Sequence, residues 1–280
     1  MSQTHTFEHK AMKTIFTLRL QHPEKKHAQH AAHSAFDLID EVENKLSRYR
    51  EGSDVWQINH MEAGQTLFLS DMCYDCLRLS LEAYGKTLGL FDVTLGRQIE
   101  HQKRKSEGEP PDISGQLAMV PNRPAIHCNE PGREIDLGGV GKGFALDSVK
   151  QRLLEDSGIE SGILSAGAST HLAFGAHRWV IGLSARNETK EIAIEGEALS
   201  ASGTGVQNEH ILSPDGIEES YRHPRAWVVH HSAAWADIWS TTAMIMPGRE
   251  LKEQSGEFTA LFVEDAESGK VHAIKSGGKI

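Results

Sequence analysis

The sequence predicts an α+β protein with mixed, largely antiparallel sheets and flanking helices. Two long stretches, 24–50 and 71–86, carry apolar residues at helical spacing. Short strand-like segments follow one another closely at 179–183, 191–194 and 198–202, and 258–263 with 270–275 reads as a closing hairpin. The 280 residues suffice for one large domain or two small ones. With 39% hydrophobic and 24% charged residues, the balance is that of a globular chain.

Residues 1–10 are polar and are expected to be a disordered lead, with one domain over 11–280. Residues 12–20 alternate apolar and polar side chains, as a strand does. The helix over 24–50 takes its stripe from Ala28, Ala31, Ala32, Ala35, Phe36, Leu38, Ile39, Val42 and Leu46. Gly52, Ser53 and Asp54 break it, and 55–59 reads as an irregular piece. A strand at 66–69 precedes a helix capped by Ser70. Residues 97–122 are polar, with a basic cluster and Pro110-Pro111, and read as a surface excursion. Strands are expected at 124–128 and 133–137 and a helix from about 141 to 156. A strand at 226–230 then leads to a helix over 232–246, stopped by Pro247-Gly248.

The formal net charge of −10 argues against a nucleic-acid binder, which needs a basic face. No apolar run approaches the roughly 18 residues of a membrane span, so no membrane insertion is expected. Three cysteines are too few for a disulfide framework, which suits a cytoplasmic protein. Cys73 and Cys76 lie inside an amphipathic helix, where core thiols are expected rather than a redox pair. His27, His30 and His33 share a face with Glu24, Lys25 and Lys26, which reads as solvated rather than metal-binding.

The densest candidate site is 134–147. Asp136 precedes Gly138, Gly139, Gly141 and Gly143, with Lys142 among them and a helix following. Glycines permit close backbone approach, and a helix start offers free N–H groups, so this turn suits a phosphate ester. The spacing is neither that of a P-loop nor that of a dinucleotide fold. Asp237 and Thr241 stand four apart on a predicted helix, one face carrying two hard oxygen donors suited to Mg²⁺.

The stretch from Asp136 to Asp147 resembles the central signature of the ApbE-type FAD:protein FMN transferases. Further segments resemble that family in order. They are Met12-Lys13-Thr14, Ser47-Arg48-Tyr49, Gly89 to Thr94, Ser202-Gly203 with His210-Ile211-Leu212, and Ala236-Asp237 to Thr241. The resemblance implies an ApbE-like fold and Mg²⁺-dependent transfer of FMN from FAD to a Ser/Thr hydroxyl of a target protein, releasing AMP. It makes Gly139 (by its carbonyl), Asp237 and Thr241 the metal ligands. It places Met12, Tyr49, Leu90, Phe91, Asp92, Asp136, Lys142 and Leu212 on FAD, with His210 beside the diphosphate and Asp237 as catalytic residues. The expected partner carries a Ser/Thr-Gly-Ala-Ser/Thr acceptor. The closest stretch here, Ala166-Gly167-Ala168-Ser169, has alanine at the acceptor position.

The chain departs from the family at Ser165 and Ser169, where relatives have Asn and Asp, at Ser213, where they have Asp, and at Lys13, where they have Gly. An FAD pyrophosphatase giving FMN and AMP, and a catalytically impaired FAD-binding protein, therefore stand as alternatives. Asp237→Ala is expected to abolish Mg²⁺-dependent turnover with the fold intact.

Overall fold

The computed structural model describes residues 3–104, 108–203 and 221–274. In chain order these form β1 (Gln3–Ala11), β2 (Thr14–His22), α1 (Lys25–Leu46), α2 (Asp54–Asn59), β3 (Thr66–Phe68), α3 (Asp71–Lys86), α4 (Gly96–Lys103), β4 (Gln116–Met119) and β5 (Ala125–Glu130). Then come α5 (Gly141–Asp156), β6 (Gly162–Ala166), β7 (Thr170–Phe174), β8 (Trp179–Ser184), β9 (Thr189–Ile194), β10 (Ala198–Gly203), β11 (Arg225–His230), α6 (Ala233–Ala243), α7 (Gly248–Glu253), β12 (Ala260–Glu264) and β13 (Val271–Ile274).

Eight strands make one sheet in the order β1-β2-β6-β7-β10-β11-β12-β13. A three-stranded sheet, β3-β5-β4, and a β8-β9 ribbon complete the strands. Among the described residues every ladder is antiparallel, and the isolated bridges Leu95–Glu134 and Pro131–Arg133 are parallel. This is the α+β, largely antiparallel architecture expected. The main core lies where α1 and α5 cover the β1-β2-β6-β7 half, around Phe16, Leu18, Ile39, Leu146 and Leu164. The α1 stripe is buried as predicted, except that Phe36 is half-buried and stacks on His9 at 4.9 Å. Both Cys73 and Cys76 are buried thiols with raised pKa, Cys73 to about 12, chiefly by desolvation.

Five expectations need correction. The lead is ordered from Gln3: β1 pairs with β2 along its whole length. Its polarity is that of an edge strand, with one face toward solvent and Phe7 packed on the core. Residues 54–59 form helix α2 because Ser53 accepts the Trp56 N–H at 2.9 Å. The 97–122 excursion is not only surface, since it contributes α4 and β4. Residues 133–137 form no strand. They are held by the bonds Gly96 N–H to Glu134 O (2.8 Å) and Asp136 N–H to Val93 O (2.8 Å), and by the Asn59 amide on both backbone groups of Ile135. Finally, α6 ends at Ala243, and Pro247 opens α7 instead of ending the helical region.

The β1–β2 turn has two central residues, Met12 and Lys13, at φ of 49° and 58°. Such a turn favours Asn-Gly, because a side chain in the left-handed region costs about 1–2 kcal/mol. Lys13 holds a glycine's position without being one.

Candidate active site

Asp237 lies on α6 with 3% of its surface exposed. Its Oδ1 accepts the Thr170 hydroxyl of β7 (2.7 Å) and the Ser200 hydroxyl of β10 (2.5 Å). Its Oδ2 accepts the backbone N–H of Gly143 in the first turn of α5 (2.8 Å). That N–H is among the amides a helix leaves without an internal partner. The favour is returned by Asp147 on α5, which accepts from Ser232 Oγ (2.6 Å), Ala233 N–H (2.8 Å) and Ala234 N–H (3.0 Å) at the start of α6. Each helix thus caps the other with a carboxylate. They approach so closely at Gly143 that a Cβ there would collide with the carbonyl of Ala233 and lie 2.6 Å from the nitrogen of Ala234.

A chain of hydroxyls runs from Asp237 toward Thr241. Ser240 lies 3.3 Å from Ser200 and 2.9 Å from Ser202, and Ser202 lies 3.4 Å from Thr241. Gly139 meets Thr241 from the other side: a Cβ on it would stand 3.6 Å from Thr241 Oγ1 and 3.1 Å from the Phe91 ring. Asp237, Thr241, Gly139 and Phe91 therefore converge. A carboxylate has about four acceptor positions, and three hydrogen bonds leave Asp237 Oδ2 one free. Among the described residues no three His, Cys, Asp or Glu gather as a metal cluster. A cation here would rest on one carboxylate, one hydroxyl and a backbone oxygen, the hard donor set that leaves positions for substrate oxygens and water. The residues present fit Mg²⁺.

The glycine turn joins this group to a second one around Asp136. Asp136 Oδ2 stands 3.1 Å from Lys103 Nζ and 3.2 Å from Arg48 Nη1, and Oδ1 accepts the Gly138 N–H at 2.8 Å. Arg48 also binds Glu134 and the carbonyl of Gly96, each at 2.6 Å. Burial pushes the Asp136 carboxyl up, but Lys103, the Gly138 amide and Arg48 together hold it below its ordinary value of 3.8. A lowered carboxyl adds stability that is complete above the ordinary value and lost as pH falls through the lower folded one. Asp136→Asn is therefore expected to flatten the acid limb of the stability profile below about pH 4. Urea midpoints measured across that limb check this, and an unchanged limb refutes it. Asp147, whose carboxyl is raised chiefly by burial, works in the opposite sense.

Tyr49 presents a ring that is 51% exposed, its hydroxyl bonded to Glu100 of α4 at 3.0 Å. Burial and Glu100 push the phenol up to about 12, so it stays neutral. Lys13 Nζ sits 4.0 Å from the centre of that ring. Asp92 accepts from the N–H and hydroxyl of Thr94 and lies 3.3 Å from Arg133. Leu90 packs against the core cluster that holds Trp239, and Met12 against the main core. Lys142 is half-buried and makes no ion pair among the described residues.

A sequence model described as the ApbE family matches residues 12–262. The chain belongs to the ApbE family. A FAD:protein FMN transferase of Klebsiella pneumoniae (strain 342) is 24% identical over 268 residues, covering 85% of this chain and 83% of that protein. Another, of Escherichia coli (strain K12), is 22% identical over 248 residues, covering 77% and 70%. The apo form of the Pseudomonas stutzeri flavinyl transferase ApbE shares the fold at a TM-score of 0.83, with 21% identity, over 100% of this chain and 98% of that one. The ApbE protein of Thermotoga maritima does so at 0.83 and 21%, over 97% of each.

Within this ApbE-family chain, Gly139, Asp237, Thr241 and Phe91 come together, and Asp136, Tyr49 and Lys142 flank them along the same turn and α4. His210 and Leu212, like Ser213, lie outside the described residues. Ser169 stands next to Thr170, whose hydroxyl serves Asp237, and Ser165 bonds His171 Nδ1 at 2.9 Å. Sequence reasoning missed Arg48, Lys103, Thr170, Ser200 and the capping role of Asp147. Arg48 stood between Ser47 and Tyr49 in a quoted motif, and Asp147 closed the signature. Nothing in the spacing of the other three marks them.

Proposed function

We propose that this protein transfers FMN from FAD to a Ser or Thr hydroxyl of a target protein, releasing AMP, with Mg²⁺ at the diphosphate. The convergence of Asp237, Thr241 and Gly139 beside the Phe91 ring and the Asp136–Gly143 turn carries this reading. The FAD:protein FMN transferases among its relatives support flavin transfer to a protein. When bound, Mg²⁺ would neutralise diphosphate charge as the bridge breaks. Asp237 and Thr241, with the Gly139 carbonyl, would hold it. The α6 mount is rigid, because α5 caps it and three donors fix the Asp237 carboxylate. Lys142 would add a cation that makes no ion pair among the described residues. Asp92, Leu90, Met12, Tyr49 and Asp136 would line the flavin, and Leu212 and His210 would serve it by family analogy.

The acceptor hydroxyl oxygen bonds the FMN-side phosphorus, its proton is released, and the bridging oxygen leaves with AMP. The acceptor lies on another protein bearing Ser/Thr-Gly-Ala-Ser/Thr, since Ala166 stands where this chain would need a hydroxyl. In this reading the chain acts as one domain that includes β1 and so begins before residue 11, and three buried free cysteines favour the cytoplasm. Among the described residues no helix is long and apolar enough to cross a membrane.

Incubation with FAD, Mg²⁺ and a target bearing that motif, read by intact mass and AMP release, tests the reading. One FMN added to the target per AMP is the expected result. AMP without modified target would make the protein an FAD pyrophosphatase. FAD binding without AMP would make it a binding protein, as the losses at Ser165, Ser169 and Ser213 would suggest.

A further inference from the structure

We propose that Lys13 is a movable cation that covers the Tyr49 ring and selects flavins that carry phosphate over neutral riboflavin. This rests on the flavin reading above and goes beyond it, to a residue where this chain departs from its family.

Four observations support it. First, Lys13 occupies a left-handed turn position, φ 58°, next to Met12 at 49°, where a glycine would fit without strain. A non-glycine residue held at such an angle is a reason to ask what its side chain does. Second, its ammonium lies 4.0 Å from the Tyr49 ring centre, on a ring whose orientation the Glu100 bond fixes. A flat ring cannot stack on a face that an ammonium occupies, so stacking there requires Lys13 to move.

Third, Lys13 is free to move. It is exposed and makes no ion pair among the described residues. The other cation near the ring, Arg48 at 5.7 Å, is tied to Glu134, Asp136 and Gly96. Fourth, the turn abuts the segment where the family's carboxylate is missing. Thr14 Oγ1 lies 2.5 Å from the position of a Cβ on Gly167, and Gly167 donates to the Ile15 carbonyl at 2.9 Å. By the resemblance described above, this corner carries an ammonium at 13 where relatives have glycine and a hydroxyl at 169 where they have a carboxylate, a difference that favours an anionic ligand.

A neutral ring must displace the ammonium and gets nothing back. A phosphorylated flavin displaces it and offers it a counter-charge on a flexible four-carbon stem. The test is flavin fluorescence quenching with riboflavin, FMN and FAD, with EDTA and with Mg²⁺. It compares wild type with Lys13→Met, which keeps the length, and Lys13→Gly, which also relaxes the turn. Both variants are expected to bind riboflavin about 2- to 5-fold more tightly, the scale of an exposed cation–π contact. They are expected to bind FMN and FAD more weakly. In a Tyr49→Ala background the riboflavin gain should vanish. An unchanged riboflavin-to-FMN ratio in both variants, or equal tightening of both flavins, overturns the role of Lys13 and leaves the flavin site standing. Failure of the wild-type protein to bind any flavin overturns both.

Discussion

Gly143→Ala is expected to lower the melting temperature by about 10 °C, whereas Gly141→Ala, two residues earlier in the same helix, should leave it unchanged or raise it slightly. The added methyl at 143 meets backbone, the Ala233 carbonyl and the Ala234 nitrogen, and neither can swing aside. To admit it, α5 and α6 must part, which breaks the Gly143–Asp237 bond and loosens the Asp147 cap together. Overpacking of a core costs about 1–3 kcal/mol and more against rigid backbone. For a protein of this size each kcal/mol is worth about 2–4 °C. At Gly141 a Cβ meets nothing within 4 Å, and alanine is the better helix former by roughly 0.5–1 kcal/mol. Circular dichroism melts of the pair decide it. Equal melting temperatures would mean that the two helices do not touch as described.

The second large effect concerns Asp237, where the structure revises an expectation from sequence. Asp237→Ala was to abolish turnover and spare the fold. With Thr170, Ser200 and Gly143 all donating to that carboxylate, its removal strands buried donors at about 1–3 kcal/mol each. Loss of activity in that variant would therefore mix lost metal with lost structure. Thr241→Val separates them. Among the described residues the Thr241 hydroxyl makes one long contact, 3.4 Å to Ser202, and valine keeps its shape. Turnover at fixed Mg²⁺ is expected to fall about 10- to 100-fold with the melting temperature unchanged. Asp237→Ala should lose both. Full activity of Thr241→Val across a Mg²⁺ titration would remove Thr241 from the metal site.

Much of the fold was legible because it follows from short-range rules. The alanine-rich stripe of α1, the Ser70 cap and the alternation in β2 each announce their element locally. The failures share a physical cause: the deciding partner is distant in sequence. Gln3 to Ala11 is a strand because β2 returns alongside it, and its polar face looked like a tail. Residues 133–137 looked like a strand, but the 93–96 loop and Asn59 claim their backbone groups instead. The site divides in the same way. Asp237 and Thr241 were legible as a face, four residues apart. Thr170 and Ser200, which hold Asp237, are ordinary hydroxyl residues until the sheet brings them under it. Arg48 was hidden by lying between two residues that a motif singled out.

The mutual capping of α5 and α6 also sets an order of events during synthesis. Asp237 finds its three partners 94, 67 and 37 residues earlier in the chain. Contacts over such separations close slowly and late. On the ribosome, the α5 amides and the two hydroxyls emerge long before the carboxylate that will bind them. A nascent chain that stops short of α6 lacks Asp237 and Thr241, the metal ligands proposed above, and would not be trapped in a half-built state by ligand. Binding competence would then appear in one step, after α6 has docked, and would mark completed chains.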